Sequence, residues 1–339
     1  MTAATPPALV VTTTPAATTT GAARQDFAQA LHHCLGQRPH QISPKYFYDA
    51  AGSALFDHIC ALPEYYPTRT EITLLQRHAP AMARQIGAGA ELIEFGAGSL
   101  VKVRLLLRAL IDQGLTPARF LPVDISAEHL LAQCERLRAE LPGLQVEPLI
   151  TDFTQALPLP AGGDVRRVGY FPGSSIGNFT PDEALGFLAR TAQLLRGGSN
   201  NSGPNGSGLL IGIDLVKNPA LLHAAYNDAQ GVTAAFNLNL LERARRELGC
   251  DINPAGFWHH ASYNPLLSRI EMHLVSRRAQ TVHLQGHAYE LAAGETLHTE
   301  NSYKYTVAGF QALARQAGFT PGACWLDENE WFCVMWLQA

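Results

Sequence analysis

The chain has 339 residues, of which 47% are hydrophobic and 16% charged, and its formal net charge is −4. This length is enough to bury a large core in one or two domains. The slightly acidic balance without a basic run argues against binding dominated by nucleic-acid phosphates, and no apolar stretch reaches the roughly 20 residues that span a membrane. Six cysteines without a CxxC pair predict reduced thiols, no disulfide framework and no metal site.

Lysine is rare in this chain. Of the 25 basic residues, 21 are arginine, and the four lysines are Lys45, Lys102, Lys217 and Lys304. A lysine that persists under such a bias indicates a position where a compact ammonium fits and a planar guanidinium does not. The four lysines therefore mark four parts of the chain to inspect.

The first 23 residues are rich in Ala, Thr and Pro and carry no charge before Arg24. They lack the charged start of a signal peptide and the arginines of a transit peptide. We therefore predict a disordered tail over residues 1–24 and a cytoplasmic location.

Between about residues 90 and 215, short apolar strands alternate with amphipathic helices. Ser126 is predicted to cap the second of these helices, and Thr180 with Glu183 to form a capping box on a later one. Such alternation predicts a doubly wound, Rossmann-like α/β sheet that binds ligands at the carboxyl ends of its strands. The predicted strands cover residues 91–95, 120–123, 147–150, 168–171 and 209–213.

Residues 214–303 have a different pattern, in which helical stretches precede alternating strands. We predict that they form an α+β domain inserted into the sheet domain, which comprises residues 25–213 and 304–339. A helix at 307–317 and a hairpin near the C-terminus, at 323–326 and 331–337, are predicted to complete the sheet. The Gly-, Asn- and Ser-rich run at 197–208 is predicted to be a mobile loop.

Polar residues follow the predicted strands at the ends where ligands bind. Gly96 and Gly98 form a turn into a helix, and Asp124 and Asp152 end the next two strands. This set suits an adenosyl ligand, although each acid alone is equally typical of a helix cap. The third glycine of the dinucleotide pattern is missing, which disfavours a nicotinamide cofactor. Lys102 can pair with a ligand carboxylate, and S-adenosylmethionine (SAM) has one.

Two tyrosine-rich blocks precede the sheet, one around Tyr46 and Tyr48 and the other around Tyr65 and Tyr66. They predict either a lid over a small polar substrate or a helical cover with buried hydroxyls.

Seven blocks in order, PKYFYDAAGSALFDHI, LPEYYPTRTE, EFGAGSLVK, PGSSIGNF, DLVKNPALLHAAYNDAQGVTAAFNLN, RIEMHL and HTENSYKY, span about residues 40 to 310. Together they closely resemble the histidine Nα-methyltransferases of ergothioneine biosynthesis. The resemblance implies a SAM-dependent enzyme that converts L-histidine to its trimethyl betaine, hercynine, and a two-domain architecture.

The resemblance also implies roles for individual residues. The cofactor positions are Gly96, Gly98, Lys102, Asp124, Asp152 and Phe153. The histidine-binding positions are Tyr65, Asn178, Tyr226, Met272, Glu300 and Ser302, with Tyr48 near the amine as the catalytic candidate. In these roles Asn178 and Tyr226 donate hydrogen bonds to the substrate carboxylate, while Glu300 and Ser302 hold the two imidazole nitrogens. Met272 is also typical of a packed core position.

Two other functions stay open. One is N-methylation of another amino acid, such as tryptophan, or of partly methylated histidine, although Met272 with Glu300 favours histidine. The other is a catalytically silent SAM-binding module. We expect a small-molecule substrate, no nucleic acid or membrane partner, and a monomer.

Overall fold

The computed structural model describes residues 16–159, 165–197 and 206–339. The helices are α1 (Ala16–Gly36), α2 (Ala50–Ala61), α3 (Tyr66–Ile86), α4 (Val101–Asp112), α5 (Ala127–Glu140), α6 (Pro181–Arg196), α7 (Pro219–Tyr226), α8 (Val232–Leu248) and α9 (Val307–Gln316). The strands are β1 (His40–Gln41), β2 (Glu91–Phe95), β3 (Arg119–Asp124), β4 (Leu149–Ile150), β5 (Arg167–Phe171), β6 (Gly208–Asp214), β7 (Phe257–Asn264), β8 (Arg269–Ser276), β9 (Gln280–Leu284), β10 (His287–Leu291), β11 (Thr296–Tyr303), β12 (Thr320–Leu326) and β13 (Phe332–Gln338).

The larger sheet has seven strands in the order β12-β13-β6-β5-β2-β3-β4. The strands from β6 to β4 pair in parallel, and β13 pairs antiparallel with both β6 and β12. Every residue of β2, β5 and β6 is buried, because helices cover both faces of the sheet. The Rossmann-like α/β prediction is confirmed, and the predicted C-terminal hairpin completes this sheet.

The first residues of α5 and α6 test the two helix caps that the sequence predicts. Thr180 and Glu183 form the predicted capping box of α6, with each side chain bonded to the other residue's backbone N–H. The prediction that Ser126 caps α5 is wrong, because the Ser126 side chain makes no capping bond. Its hydroxyl donates instead to the Tyr48 backbone oxygen at 3.1 Å. This bond ties the start of α5 to the first tyrosine block.

A second sheet has four strands in the order β1-β11-β8-β7. Its pairs are antiparallel except for β1 with β11, and a bulge interrupts β11 between His298 and Glu300. The strands β9 and β10 form a separate hairpin. The buried side chains of this sheet share one cluster with α1, α2 and α8. The division into domains at 213/214 and 303/304 stays a prediction.

Two predicted irregular segments are described only in part. Residues 16–24 lie at the start of α1, so the tail prediction is wrong for them, and residues 1–15 lie outside the described residues. Most of the predicted loop at 197–208, from 198 to 205, also lies outside them. In the ranges that the structure describes, no helix combines the length and apolarity needed to cross a membrane.

Candidate active site

One cavity of about 1420 Å³ lies at the carboxyl ends of β2 and β3 and extends to β11 of the second sheet. It joins the two groups of predicted site residues. The predicted residues that line it are Tyr48, Tyr65, Gly96, Gly98, Lys102, Asp124, Asp152, Phe153, Asn178 and Glu300. Tyr226, Met272 and Ser302 are buried behind its wall.

The turn from β2 into α4 depends on two glycines. Gly96 has φ +66° and Gly98 has φ +51°, both in the left-handed region that a side chain disfavours. A Cβ on Gly96 would lie 3.3 Å from the Phe153 ring. The missing side chain therefore leaves a surface of backbone and aromatic ring at the bottom of the cavity, where a flat ligand fits.

The Asp124 carboxylate is held in place at the end of β3. One oxygen accepts from the Gly98 N–H at 3.1 Å and the other from the Ser126 N–H at 2.8 Å. Each oxygen keeps a second lone pair, so the carboxylate can also accept two hydroxyl hydrogens from a ligand in the cavity.

Asp152 lies on the same edge of the sheet, after β4. Its Oδ1 accepts from the Thr154 N–H at 2.9 Å and from the Thr154 hydroxyl, and its Oδ2 lies 3.2 Å from the Lys45 ammonium. Lys45 also pairs with Asp26 on α1 at 2.9 Å. Lys45 thus links the first tyrosine block and α1 to the rim of the cavity.

Lys102, in the first turn of α4, pairs with an acid that sequence reasoning did not identify. Its ammonium lies 2.6 Å from Glu71 Oε2, and the Glu71 side chain is fully buried. Glu71 also accepts the Gly173 N–H at 2.9 Å, so it fixes both the lysine and the loop after β5. The signal for Glu71 in the sequence was its place as a charged residue on the buried face of the amphipathic helix α3.

Glu94 is a second acid that sequence reasoning missed. It is 1% exposed and lines the cavity, and its Oε2 has no hydrogen-bond partner among the described residues. Burial raises the pKa of Glu94 well above its ordinary range. A buried carboxyl oxygen without a protein partner pairs with water or with a ligand group, and Glu94 lines the cavity where either can reach it. The signal for Glu94 in the sequence was an acidic residue inside the otherwise apolar end of β2.

Tyr48, Phe56 and Tyr65 form part of the wall of the cavity, and two further rings pack behind them. Tyr48 packs edge-on against Phe56 and Phe236, with both pairs of ring centroids 5.7 Å apart. Tyr65 packs edge-on against Phe56 and Tyr226, with centroids 6.3 Å apart in each pair. Burial raises the pKa of Tyr48 and of Tyr65 well above the ordinary range, so both phenols are neutral near pH 7.

Glu300 lies on β11 directly after the bulge and pairs in register with Met272 of β8. Burial raises the pKa of Glu300 to about 7, although the charge of Lys304 acts to lower it. Met272 is 1% exposed and belongs to the cluster of buried side chains of the second sheet. Its position matches the core alternative for this residue, and its predicted contact with substrate stays a prediction.

Asn178 ends a short 3-10 helix, Ser175–Asn178, that packs against β11. The approach is close at Gly177, where a Cβ would lie 2.8 Å from the Tyr303 backbone oxygen. A side chain at Gly177 would therefore force the 3-10 helix that ends at Asn178 and the backbone of β11 to move apart.

A buried polar network lies behind Tyr65. The Tyr226 hydroxyl donates to Ser302 Oγ at 2.7 Å, and the Lys304 ammonium reaches Ser302 Oγ at 2.7 Å and the Tyr226 oxygen at 3.3 Å. Lys304 pairs with Asp214 at 2.8 Å. Because the Tyr226 hydrogen is directed at Ser302, its predicted donation to a substrate carboxylate requires the hydroxyl to turn.

Asp214, at the end of β6, also binds the ammonium of Lys217 at 2.5 Å and the hydroxyl of Tyr66 at 2.7 Å. Two of the four lysines of the chain thus meet on one aspartate, where the two sheets join. In the described part of the chain, no group of three or more His, Cys, Asp or Glu side chains has the geometry of a metal site.

A family model described as "Histidine-specific methyltransferase, SAM-dependent" matches residues 27–339. The histidine N-alpha-methyltransferase of Mycolicibacterium smegmatis is 41% identical over 296 residues, which cover 86% of this chain and 88% of that protein. The protein of the same name from Mycobacterium tuberculosis is 38% identical over 297 residues, 87% of this chain and 89% of that one. Ergothioneine biosynthesis protein 1 of Neurospora crassa is 31% identical over 313 residues, 86% of this chain and 32% of that longer protein.

Proposed function

The chain belongs to the SAM-dependent, histidine-specific methyltransferase family, and we propose that it transfers three methyl groups from SAM to the α-amine of L-histidine. The product is hercynine, the betaine of ergothioneine biosynthesis. The observation that carries this proposal is that one continuous cavity has the glycine turn and Asp124 at one end and the tyrosines and Glu300 at the other.

The residues at the first end fit the cofactor. Asp124 is positioned to accept the ribose hydroxyls, and Gly96 leaves room for the nucleoside beside Phe153. Lys102 and the unpartnered Glu94 oxygen offer one cation and one acceptor, which match the carboxylate and ammonium of an amino-acid group. When bound, SAM supplies an electrophilic methyl group on a sulfonium.

The residues at the second end position the amine. Glu300 and Ser302 would hold the imidazole, and Asn178 the carboxylate, so that the α-amine points toward Tyr48. A free α-amine titrates near or above about pH 8, so a modest fall of its pKa beside a sulfonium leaves a reactive lone pair. Water takes up the released proton; the neutral Tyr48 phenol can accept a hydrogen bond from the amine N–H and can relay a proton only by passing its own hydroxyl proton on to water. Positioning of this kind contributes roughly 7–11 kcal/mol in favourable cases.

The neutral tyrosines suit a substrate that becomes more cationic. Each methylation brings the amine closer to a permanent ammonium, which aromatic faces attract by about 0.5–2 kcal/mol each. Tyr48 and Tyr65 present such faces in the cavity wall. This explains how one pocket can accept an amine, then its monomethyl and dimethyl forms.

The proposal includes the arrangement of the whole chain. Residues 25–213 with 304–339 would form the cofactor domain, and residues 214–303 the substrate domain. We also propose a cytoplasmic monomer that does not bind nucleic acid, in line with the net charge of −4. Light scattering of the purified protein tests the oligomeric state.

The experiment is a mass-spectrometric methylation assay of the purified protein with SAM and histidine, dimethylhistidine or tryptophan. We expect trimethylhistidine from the first two and little product from tryptophan. Faster turnover of tryptophan would replace the proposed substrate. Binding of SAM without any methylation or histidine binding would instead indicate a silent SAM-binding module.

A further inference from the structure

Lys304 lies behind the substrate end of the cavity, and its ammonium contacts three oxygen atoms. They are Asp214 Oδ2 at 2.8 Å, Ser302 Oγ at 2.7 Å and the Tyr226 hydroxyl at 3.3 Å. Burial acts to lower the pKa of Lys304, but the charge of Asp214 outweighs it and raises the pKa above its ordinary value. The Lys304 amine is therefore protonated in the folded protein. Because it has no lone pair, it donates to all three oxygens.

The two hydroxyls next to Lys304 have two hydrogens between them. Their oxygens are 2.7 Å apart, and Tyr226 donates to Ser302. Both lone pairs of Ser302 Oγ are then used, one by Tyr226 and one by Lys304. The hydrogen of Ser302, here called the outward hydrogen, is therefore left for a partner other than these two residues. If the two hydroxyls exchange direction, the outward hydrogen belongs to Tyr226. In either case, the pair keeps one hydrogen for a further partner, and only one of its four lone pairs stays unused.

The acceptor that complements this donor is Glu300, two residues earlier on β11. Side chains two apart on a strand share a face, so Glu300 and Ser302 lie on the same side of β11. The Glu300 carboxylate only accepts hydrogen bonds when ionised. Burial raises its pKa to about 7 and the charge of Lys304 acts to lower it, so the ionised acceptor is the form present above about pH 7. The pocket therefore pairs one acceptor with one donor.

We propose that Lys304 is a specificity-determining positioning residue, which makes the Tyr226–Ser302 pair a hydrogen-bond donor and so selects a neutral imidazole ring. A neutral imidazole has one N–H, for Glu300, and one bare nitrogen, for the outward hydroxyl hydrogen. An imidazolium has two N–H groups, and a pyrrole or indole has no bare nitrogen, so each leaves the outward hydrogen without an acceptor. This inference rests on the proposed function of the site.

The test compares two lysines that bind the same aspartate. Lys304→Met removes the ammonium that contacts Ser302, while Lys217→Met removes the other ammonium on Asp214, which contacts neither Ser302 nor Tyr226. For each protein, kcat/KM is measured for histidine and for the two pyrrolylalanines, which keep one ring N–H and lack the second nitrogen. The readout is the preference for histidine over the better analogue.

A pocket that pairs both ring nitrogens should prefer histidine by roughly 10³-fold or more in the wild type. We expect Lys304→Met to reduce this preference by about tenfold or more, chiefly through KM for histidine, and Lys217→Met to change it by less than about threefold. Equal losses in both variants, or an unchanged preference in Lys304→Met, would overturn the inference. Wild-type enzyme that does not methylate histidine would instead overturn the proposed function.

A second measurement uses the wild-type protein and does not depend on whether a variant folds. Ring ¹⁵N-labelled histidine is bound together with S-adenosylhomocysteine, and its nitrogen chemical shifts are recorded near pH 7. We expect one protonated and one bare ring nitrogen. Two protonated nitrogens, the signature of an imidazolium, would contradict the inference.

Discussion

The Lys102 ammonium lies 2.6 Å from the Glu71 carboxylate, and Glu71 is fully buried beneath the cavity. Because Glu71 also accepts the Gly173 N–H at 2.9 Å, one acid sets the position of the proposed cofactor lysine and of the loop after β5. Glu71 thus acts on the cofactor end of the cavity without lining it.

Glu71→Gln should therefore weaken SAM binding by about tenfold, since an amide holds an ammonium less firmly than a carboxylate does. Calorimetric titration with SAM measures the effect, and a thermal melt separates it from loss of folding. Glu328→Gln is the control, because it removes a surface ion pair with Arg77 at 2.8 Å. An unchanged SAM affinity in Glu71→Gln would contradict the role assigned to Glu71.

Gly96→Ala should reduce SAM affinity more than its backbone cost explains. The left-handed φ costs roughly 1–2 kcal/mol for a residue with a side chain, and the new Cβ would also lie 3.3 Å from the Phe153 ring. Gly89→Ala is the matched control, because Gly89 has the same φ of +66° and open space around its Cβ position. Both variants should lose stability in denaturant titrations, but only Gly96→Ala should lose SAM affinity, by about tenfold or more.

Tyr65→Ala should slow the later methylations more than the first. It removes a ring that can stabilise a growing ammonium by about 0.5–2 kcal/mol, which corresponds to roughly 2- to 30-fold in rate. Single-turnover assays that follow the mono-, di- and trimethyl forms by mass spectrometry measure each step. Tyr65→Phe keeps the aromatic face and should retain all three steps.

Tyr48→Phe keeps the aromatic face but removes the hydroxyl, so it tests whether that hydroxyl takes part in removing the proton from the amine. Unchanged trimethylation in both Tyr65→Ala and Tyr48→Phe would rule out these roles.

Glu300→Gln should stabilise the ligand-free protein at pH 8 while weakening histidine binding. Burial raises the pKa of Glu300 to about 7, above its value of 4.5 in an unfolded chain, so the folded state holds a proton that the unfolded state releases. The free energy of unfolding therefore falls as pH rises from about 4.5 through 7, by up to about 3 kcal/mol for this group. The uncharged amide avoids this loss.

Urea unfolding at pH 5 and pH 8 measures this difference. Glu295→Gln serves as an opposite control, since the Ala292 N–H, with Arg38 and His40, holds the pKa of Glu295 below its usual value. Ionised Glu295 stabilises the folded state above its unfolded pKa, so that variant should lose stability at pH 8. Equal pH dependence in wild type and Glu300→Gln would contradict the prediction for Glu300.

Local patterns in the sequence were enough to predict the central sheet. The alternation of strands and helices, the capping box at Thr180 and the glycine turn at Gly96 all depend on residues close together in the chain. The Ser126 cap failed because its hydroxyl donates to the Tyr48 backbone oxygen, 78 positions away. A hydrogen-bond partner that lies far away in the sequence leaves no local pattern from which this bond could be predicted.

The sequence by itself determined the fold class, the family blocks and ten predicted site residues that line the cavity, because strand ends and turns are set by nearby residues. Only the tertiary structure decided which buried groups these residues pair with. Tyr226 meets Ser302 76 positions away, and Lys304 meets Tyr226 78 positions away. A buried charge requires a partner of opposite charge, and only the packing of the whole chain decides which residue that partner is. Here the packing places two of the four lysines, Lys217 and Lys304, against Asp214.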